Sequence, residues 1–164
     1  MYGKQSQSKA SKSLDKAVKR IASEVFETLK PTIPYLTWKT HYKGDAYHMG
    51  CMPDAGMFYY QDTLIVTGEG KHQQDGGNAI ERWFKNERIL RKVEPNVTFI
   101  TFASGSGAYE KGVIGKTLRW AHPDGYNNYQ VGKNICYLEL DGFDDTFIFE
   151  ILSKAIKDKI ALIE

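Results

Sequence analysis

An α/β domain on a mixed sheet of about five strands, flanked by helices on both faces, is what this 164-residue chain predicts. Three features carry that expectation. A helix-period apolar stripe begins at Leu14. Two β-rich runs, Met57 to Tyr60 and Thr63 to Thr67, are separated by only Gln61-Asp62. A strand, a helix and a second strand then follow in order from Thr63 to Ala103.

The first stripe places Leu14, Ala17, Val18, Ile21, Ala22, Val25, Phe26 and Leu29 at the i, i+3, i+4, i+7 spacing of an amphipathic helix. Ser11 or Ser13 is suited to cap its start, and Pro31 and Pro34 stop it. Ahead of it, residues 1–13 carry Lys4, Lys9 and Lys12 and no acid, and read as a flexible basic arm; residues 14–164 read as one domain. Tyr35 to Met52 is aromatic, interrupted by Gly44 and Gly50, and ambiguous.

The short turn at Gln61-Asp62 between β-rich runs signals a hairpin. Its second strand is almost wholly apolar, as a central strand buried on both faces should be. A helix is expected over residues 78–93, with Ala79, Ile80, Trp83, Phe84, Leu90 and Val93 as its apolar stripe and Glu94-Pro95-Asn96 ending it. Val97 to Ala103 is the next strand, which makes a βαβ unit and implies a parallel pair. Ile135 to Leu140 is a further strand, and Asp144-Asp145 open a closing helix with Phe147, Ile148, Ile151, Leu152, Ala155 and Ile156 inward.

Bulk properties narrow the function. A net charge of +2 is a weak pointer to nucleic acid and does not oppose it where basic groups cluster. No apolar run approaches a bilayer span and no apolar leader opens the chain, so a cytoplasmic location without membrane contact is expected. Cys51 and Cys136 read as reduced, buried thiols, with no CxxC or Cys/His cluster for zinc. Ser104-Gly105-Ser106-Gly107 is no phosphate-binding fingerprint, so no nucleotide cofactor is expected.

The chemistry gathers on Gly68 to Asn86. Glu69 and Lys71 share one side of an extended backbone because residues two apart do so in a strand. Regular pairing about Gln61-Asp62 sets Asp54 directly across from Glu69. Two carboxylates that close repel unless a cation joins them. Hard oxygen donors suit Mg²⁺, which keeps several waters and binds phosphate, with the Gly70 carbonyl as a further ligand. Lys71 is placed to orient a water and offset charge on a phosphorane-like transition state. Either fragment alone is common: Pro123-Asp124 is a second Pro-Asp with no Glu-x-Lys after it.

Pro53-Asp54, an apolar strand and Glu69-Gly70-Lys71 together resemble the PD-(D/E)xK nuclease superfamily. The continuation Lys71-His72-Gln73, then Gly77-Asn78-Ala79-Ile80-Glu81-Arg82 and Lys85-Asn86, resembles its EcoRI/MunI-like type II restriction endonucleases. The resemblance implies a homodimer that cuts double-stranded DNA at a palindrome with an AATT centre. It implies Mg²⁺ as cofactor, with Mn²⁺ able to substitute, and 5′-phosphate and 3′-hydroxyl ends. Carried over, Asp54, Glu69 and Lys71 are catalytic, and Asp54, Glu69 and Gly70 hold the metal. His72, Gln73, Gly77, Asn78, Ala79, Glu81, Arg82 and Lys85 contact DNA. The physics is compatible: an amide pairs bidentately with adenine, a small apolar group meets the thymine methyl, and a helix N-terminus favours nearby phosphate. Two other readings stand beside this one: a nuclease of the same fold with looser specificity in repair, recombination or phage biology, and a non-catalytic DNA-binding domain.

Overall fold

The computed structural model describes residues 4–40, 53–72, 97–106, 135–138 and 142–164. Within them the chain is α/β. Helix α1 (Lys4–Leu29) is followed by strands β1 (Leu36–Lys39), β2 (Met57–Tyr60), β3 (Thr63–His72), β4 (Thr98–Ser104) and β5 (Ile135–Tyr137), and by helix α2 (Asp145–Ile163). The strands form one sheet in chain order. β1, β2 and β3 are antiparallel neighbours, while β3, β4 and β5 run parallel. The mixed sheet and the parallel β3–β4 pair agree with the sequence.

α1 starts ten residues earlier than Leu14, so Ser11 and Ser13 lie inside the helix rather than capping it. The basic arm expected up to Ser13 is, from Lys4 onward, the first turns of α1. The reason is local: no Gly or Pro occurs between Lys4 and Leu29, and Lys, Gln and Ala favour helix. The predicted stripe is the buried one, with Leu14, Val18, Ile21, Ala22 and Val25 each at most 1% exposed. Each fully buried large apolar side chain of this kind contributes about 1.5–3 kcal/mol. α2 begins as expected, with Asp144 as its cap accepting from the Thr146 amide at 2.9 Å. Its Ile148, Leu152, Ala155 and Ile156 join the α1 stripe in one core with Phe58, Ile65, Ile100 and Phe102.

Both described helices therefore cover the same face of the sheet. The opposite face carries a second buried cluster of Met57, Tyr59, Leu64, Val97 and Phe99. The helix expected over residues 78–93 lies outside the described residues, as do Gln73, Gly77, Asn78, Ala79, Glu81, Arg82 and Lys85.

β1 falls within the stretch that the sequence left ambiguous. It is only four residues long, and only its Leu36 is fully buried, which leaves little periodic signal. The hairpin turn has Gln61 at φ +50° and Asp62 at φ +65°, the two left-handed residues of a type I′ turn. Its ladder is not regular. Tyr60 pairs with Thr63 and Tyr59 with Leu64, but Phe58 pairs with Val66. Ile65 is the extra residue of a β-bulge. Ile65 and Val66 consequently both join the helix-side core opposite Phe58.

Candidate functional site

β2 pairs with β3 only as far as Thr67, while β3 continues beside β4 to His72. The β2-facing edge of the continuation is taken over by the Pro53-Asp54-Ala55-Gly56 turn. The Ala55 amide donates to the Gly68 carbonyl at 2.9 Å, and the Gly70 amide donates to Asp54 Oδ2 at 2.9 Å. A side-chain carboxylate thus replaces the strand carbonyl that a regular ladder would offer, and the buried amide is satisfied.

Here the structure corrects the regular register. The bulge at Ile65 moves Asp54 along by one residue, so it meets Gly70 rather than standing directly across from Glu69. Glu69 is still the adjacent residue, and its charge acts on Asp54.

The parallel register distributes the other side chains. Thr67 lies beside Phe99, Glu69 beside Thr101 and Lys71 beside Ala103, on the sheet face that carries the second cluster. Gly68, Gly70 and His72 lie beside Ile100, Phe102 and Ser104, on the helix face. Glu69 and Lys71 share a side, as their spacing predicts. Glu69 is 3% exposed and Lys71 is half-buried. Gly70 sits directly under α1, where an added Cβ would come within 2.8 Å of Leu14 Cγ and 3.2 Å of Val18 Cγ2. His72, on the helix face, places Nδ1 2.7 Å from Ser104 Oγ at the carboxyl ends of β3 and β4. That hydroxyl fixes the ring's orientation.

The site also gains a residue that sequence reasoning passed over. Asp15, on α1 next to Leu14, lies close enough to Asp54 for each carboxyl to act on the other's ionisation. In the sequence it is one polar residue on an amphipathic helix, and only the packing of α1 over Gly70 brings it to the Pro-Asp turn. Both carboxyls are raised. Burial pushes Asp54 up to about 7, with Asp15 and Glu69 adding to the shift, while the Gly70 amide and Lys71 oppose it. Burial likewise raises Asp15, against the pull of Lys71.

The donors here are carboxylate oxygens and a backbone carbonyl at Gly70. That set fits a hard divalent cation, which would offset the crowded negative charge and bring its own waters. Among the described residues, no group of three or more His, Cys, Asp or Glu side chains is arranged to hold a metal ion on its own. Cys136 is buried on β5, beside Phe102. No described helix is long and apolar enough to cross a membrane. No family model, curated protein or solved structure matches the chain.

Proposed function

We propose that this chain is a Mg²⁺-dependent, site-specific endonuclease of double-stranded DNA, a type II restriction enzyme of PD-(D/E)xK fold acting as a homodimer on an AATT-centred palindrome. The observation that carries the reading is the docking of the Asp54 turn onto Glu69-Gly70-Lys71 at the carboxyl end of a parallel strand pair. Ligand sites in open α/β sheets lie at such ends. The sequence segment Gly77 to Arg82 supplies the specificity side of the proposal.

Asp54, Glu69 and the Gly70 carbonyl would hold the metal, which supplies Lewis acidity toward the scissile phosphate and lowers the pKa of a bound water. Asp54 is already anchored through Oδ2 by the Gly70 amide. Lys71, on the same side as Glu69, orients the attacking water and offsets charge that develops on the phosphoryl oxygens. The water oxygen bonds to phosphorus as the bond to the 3′-oxygen breaks, which yields a 5′-phosphate and a 3′-hydroxyl. Asn78, Ala79, Glu81 and Arg82 read or buttress the central adenines and thymines in the major groove, with discrimination of about 1–3 kcal/mol per bidentate contact.

Digestion of a sequenced plasmid with Mg²⁺, with and without EDTA, followed by sequencing of the fragment ends, tests the proposal. Discrete, EDTA-sensitive fragments whose ends share an AATT-centred palindrome are expected. Random degradation would replace it with a nuclease of looser specificity. Folded protein that binds DNA but cuts with neither Mg²⁺ nor Mn²⁺ would leave a binding module.

A further inference from the structure

We infer that Trp38 is the positioning residue for the Asp54 carboxylate, an inference that rests on the metal-dependent reading above. The turn that carries Asp54 is held from two sides. On the β3 side, the Ala55 amide reaches the Gly68 carbonyl, the Thr67 hydroxyl donates to the Gly56 carbonyl, and Asp54 itself takes the Gly70 amide. Inside the turn, the Gly56 amide donates to the Pro53 carbonyl at 3.0 Å. The carbonyl of Ala55 faces β1. There the indole Nε1–H of Trp38 donates to it at 2.8 Å.

Ala55 is fully buried, so without the indole its carbonyl would lose the partner that the turn's present orientation gives it. The indole is in turn rigidly held. It stacks on Phe26 of α1, with ring centroids 6.2 Å apart, and lies 6.2 Å from its cross-strand partner Phe58. Gly56 makes the approach possible. It sits at φ +68°, and a Cβ there would come within 2.7 Å of the Lys39 carbonyl and 2.8 Å of Trp38 Nε1. Among the described residues, the Trp38 N–H is the side-chain hydrogen bond by which β1 holds the turn, and Asp54 precedes the residue it holds. Partners that orient a metal ligand in this way typically govern affinity by about 10- to 100-fold.

The test is direct Mn²⁺ binding to the full chain without DNA, followed by the paramagnetic signal of free Mn²⁺. It compares wild type, W38F and L29A, the last a core truncation at a residue that makes none of the turn's hydrogen bonds. W38F, which keeps a ring and loses the donor, should bind Mn²⁺ about tenfold more weakly with a wild-type far-UV spectrum. L29A, though less stable, should bind as wild type does. Affinity of folded W38F within about twofold of wild type, or an equal loss in L29A, overturns the role. A wild-type measurement covers the case of an unfolded W38F. The Trp38 indole ¹⁵N–¹H resonance, assigned by elimination with W83F and W120F, should move on Mg²⁺ addition with the midpoint of binding. A resonance that stays still at saturation overturns the inference. Failure of the wild type to bind any Mn²⁺ would overturn the metal reading and this inference together, whereas binding that is indifferent to Trp38 removes only the inference.

Discussion

Asp54 Oδ2 accepts the amide of Gly70 at 2.9 Å, one residue beyond the partner that an unbroken hairpin would give it. The consequence is a division of labour within three residues. Gly70 anchors the Asp54 carboxylate through its backbone, while Glu69 and Lys71 turn their side chains to the opposite face from α1.

Removing the carboxylate or the ammonium should separate cutting from binding. Glu69→Ala and Lys71→Ala are each expected to lower the cleavage rate by about a hundred- to a thousand-fold, with metal-free DNA affinity measured by gel shift unchanged. Cleavage by Glu69→Ala at the wild-type rate would take Glu69 out of the chemistry.

The Asp54 proton makes stability pH-dependent with a definite sign. In the unfolded chain the group titrates near 3.8, and in the folded protein it is pushed up to about 7. Between those values the folded state binds the extra proton, so stability falls as pH rises. The contribution is fully present below pH 3.8 and is lost as pH rises through about 7. Melting temperature in EDTA should therefore fall more steeply with pH for wild type than for Asp54→Asn across that window. Parallel curves would mean that Asp54 is not the protonated group.

Asp15→Asn tests whether the α1 acid belongs to the site. Losing its charge should shift the Asp54 transition to lower pH, since Asp15 is one of the groups that raises it. It should also weaken Mg²⁺-dependent cleavage about tenfold, as loss of a partner that orients a metal ligand does. An unmoved transition in the melting profile would confine Asp15 to the surface of α1.

Gly70→Ala probes the contact between α1 and β3. The new methyl would meet Leu14 and Val18 at 2.8 and 3.2 Å, and overpacking of this kind costs about 1–3 kcal/mol. Urea denaturation should show that loss. Unchanged stability would mean that α1 moves away at little cost, and the Asp15–Asp54 contact should then weaken as well.

The long periodic elements were legible in the sequence. The α1 stripe, the hairpin around Gln61-Asp62, the strand before Ser104 and the helix opened by Asp144 all carry their own signal in apolar spacing or capping. Adjacency of Asp54 to Glu69-Gly70-Lys71 was legible too, because a hairpin turn fixes what stands opposite what. Its exact register was not, since Ile65 is as apolar as its neighbours and nothing in composition marks it as the unpaired residue. β1 escaped because one buried leucine in four residues makes no period. Asp15 and Trp38 escaped for a different reason: each meets the Pro-Asp turn across a tertiary contact, Asp15 at Asp54 from 39 residues away and Trp38 at Ala55 from 17 residues away in the chain.

The bulge also keeps β3 in phase. With Ile65 set aside, Leu64, Val66, Thr67, Gly68, Glu69 and Gly70 alternate strictly between the two faces of the sheet. Deleting Ile65 would leave Phe58 opposite Val66 and Met57 opposite Thr67 in an unbroken ladder, with Glu69 on its present side. Straightening the strand with Ile65 still in place, so that Phe58 faced Ile65, would instead turn Glu69 toward Leu14 and Val18 and put Gly70 where the acid now stands. The extra residue is absorbed where it occurs and is not passed on along the strand.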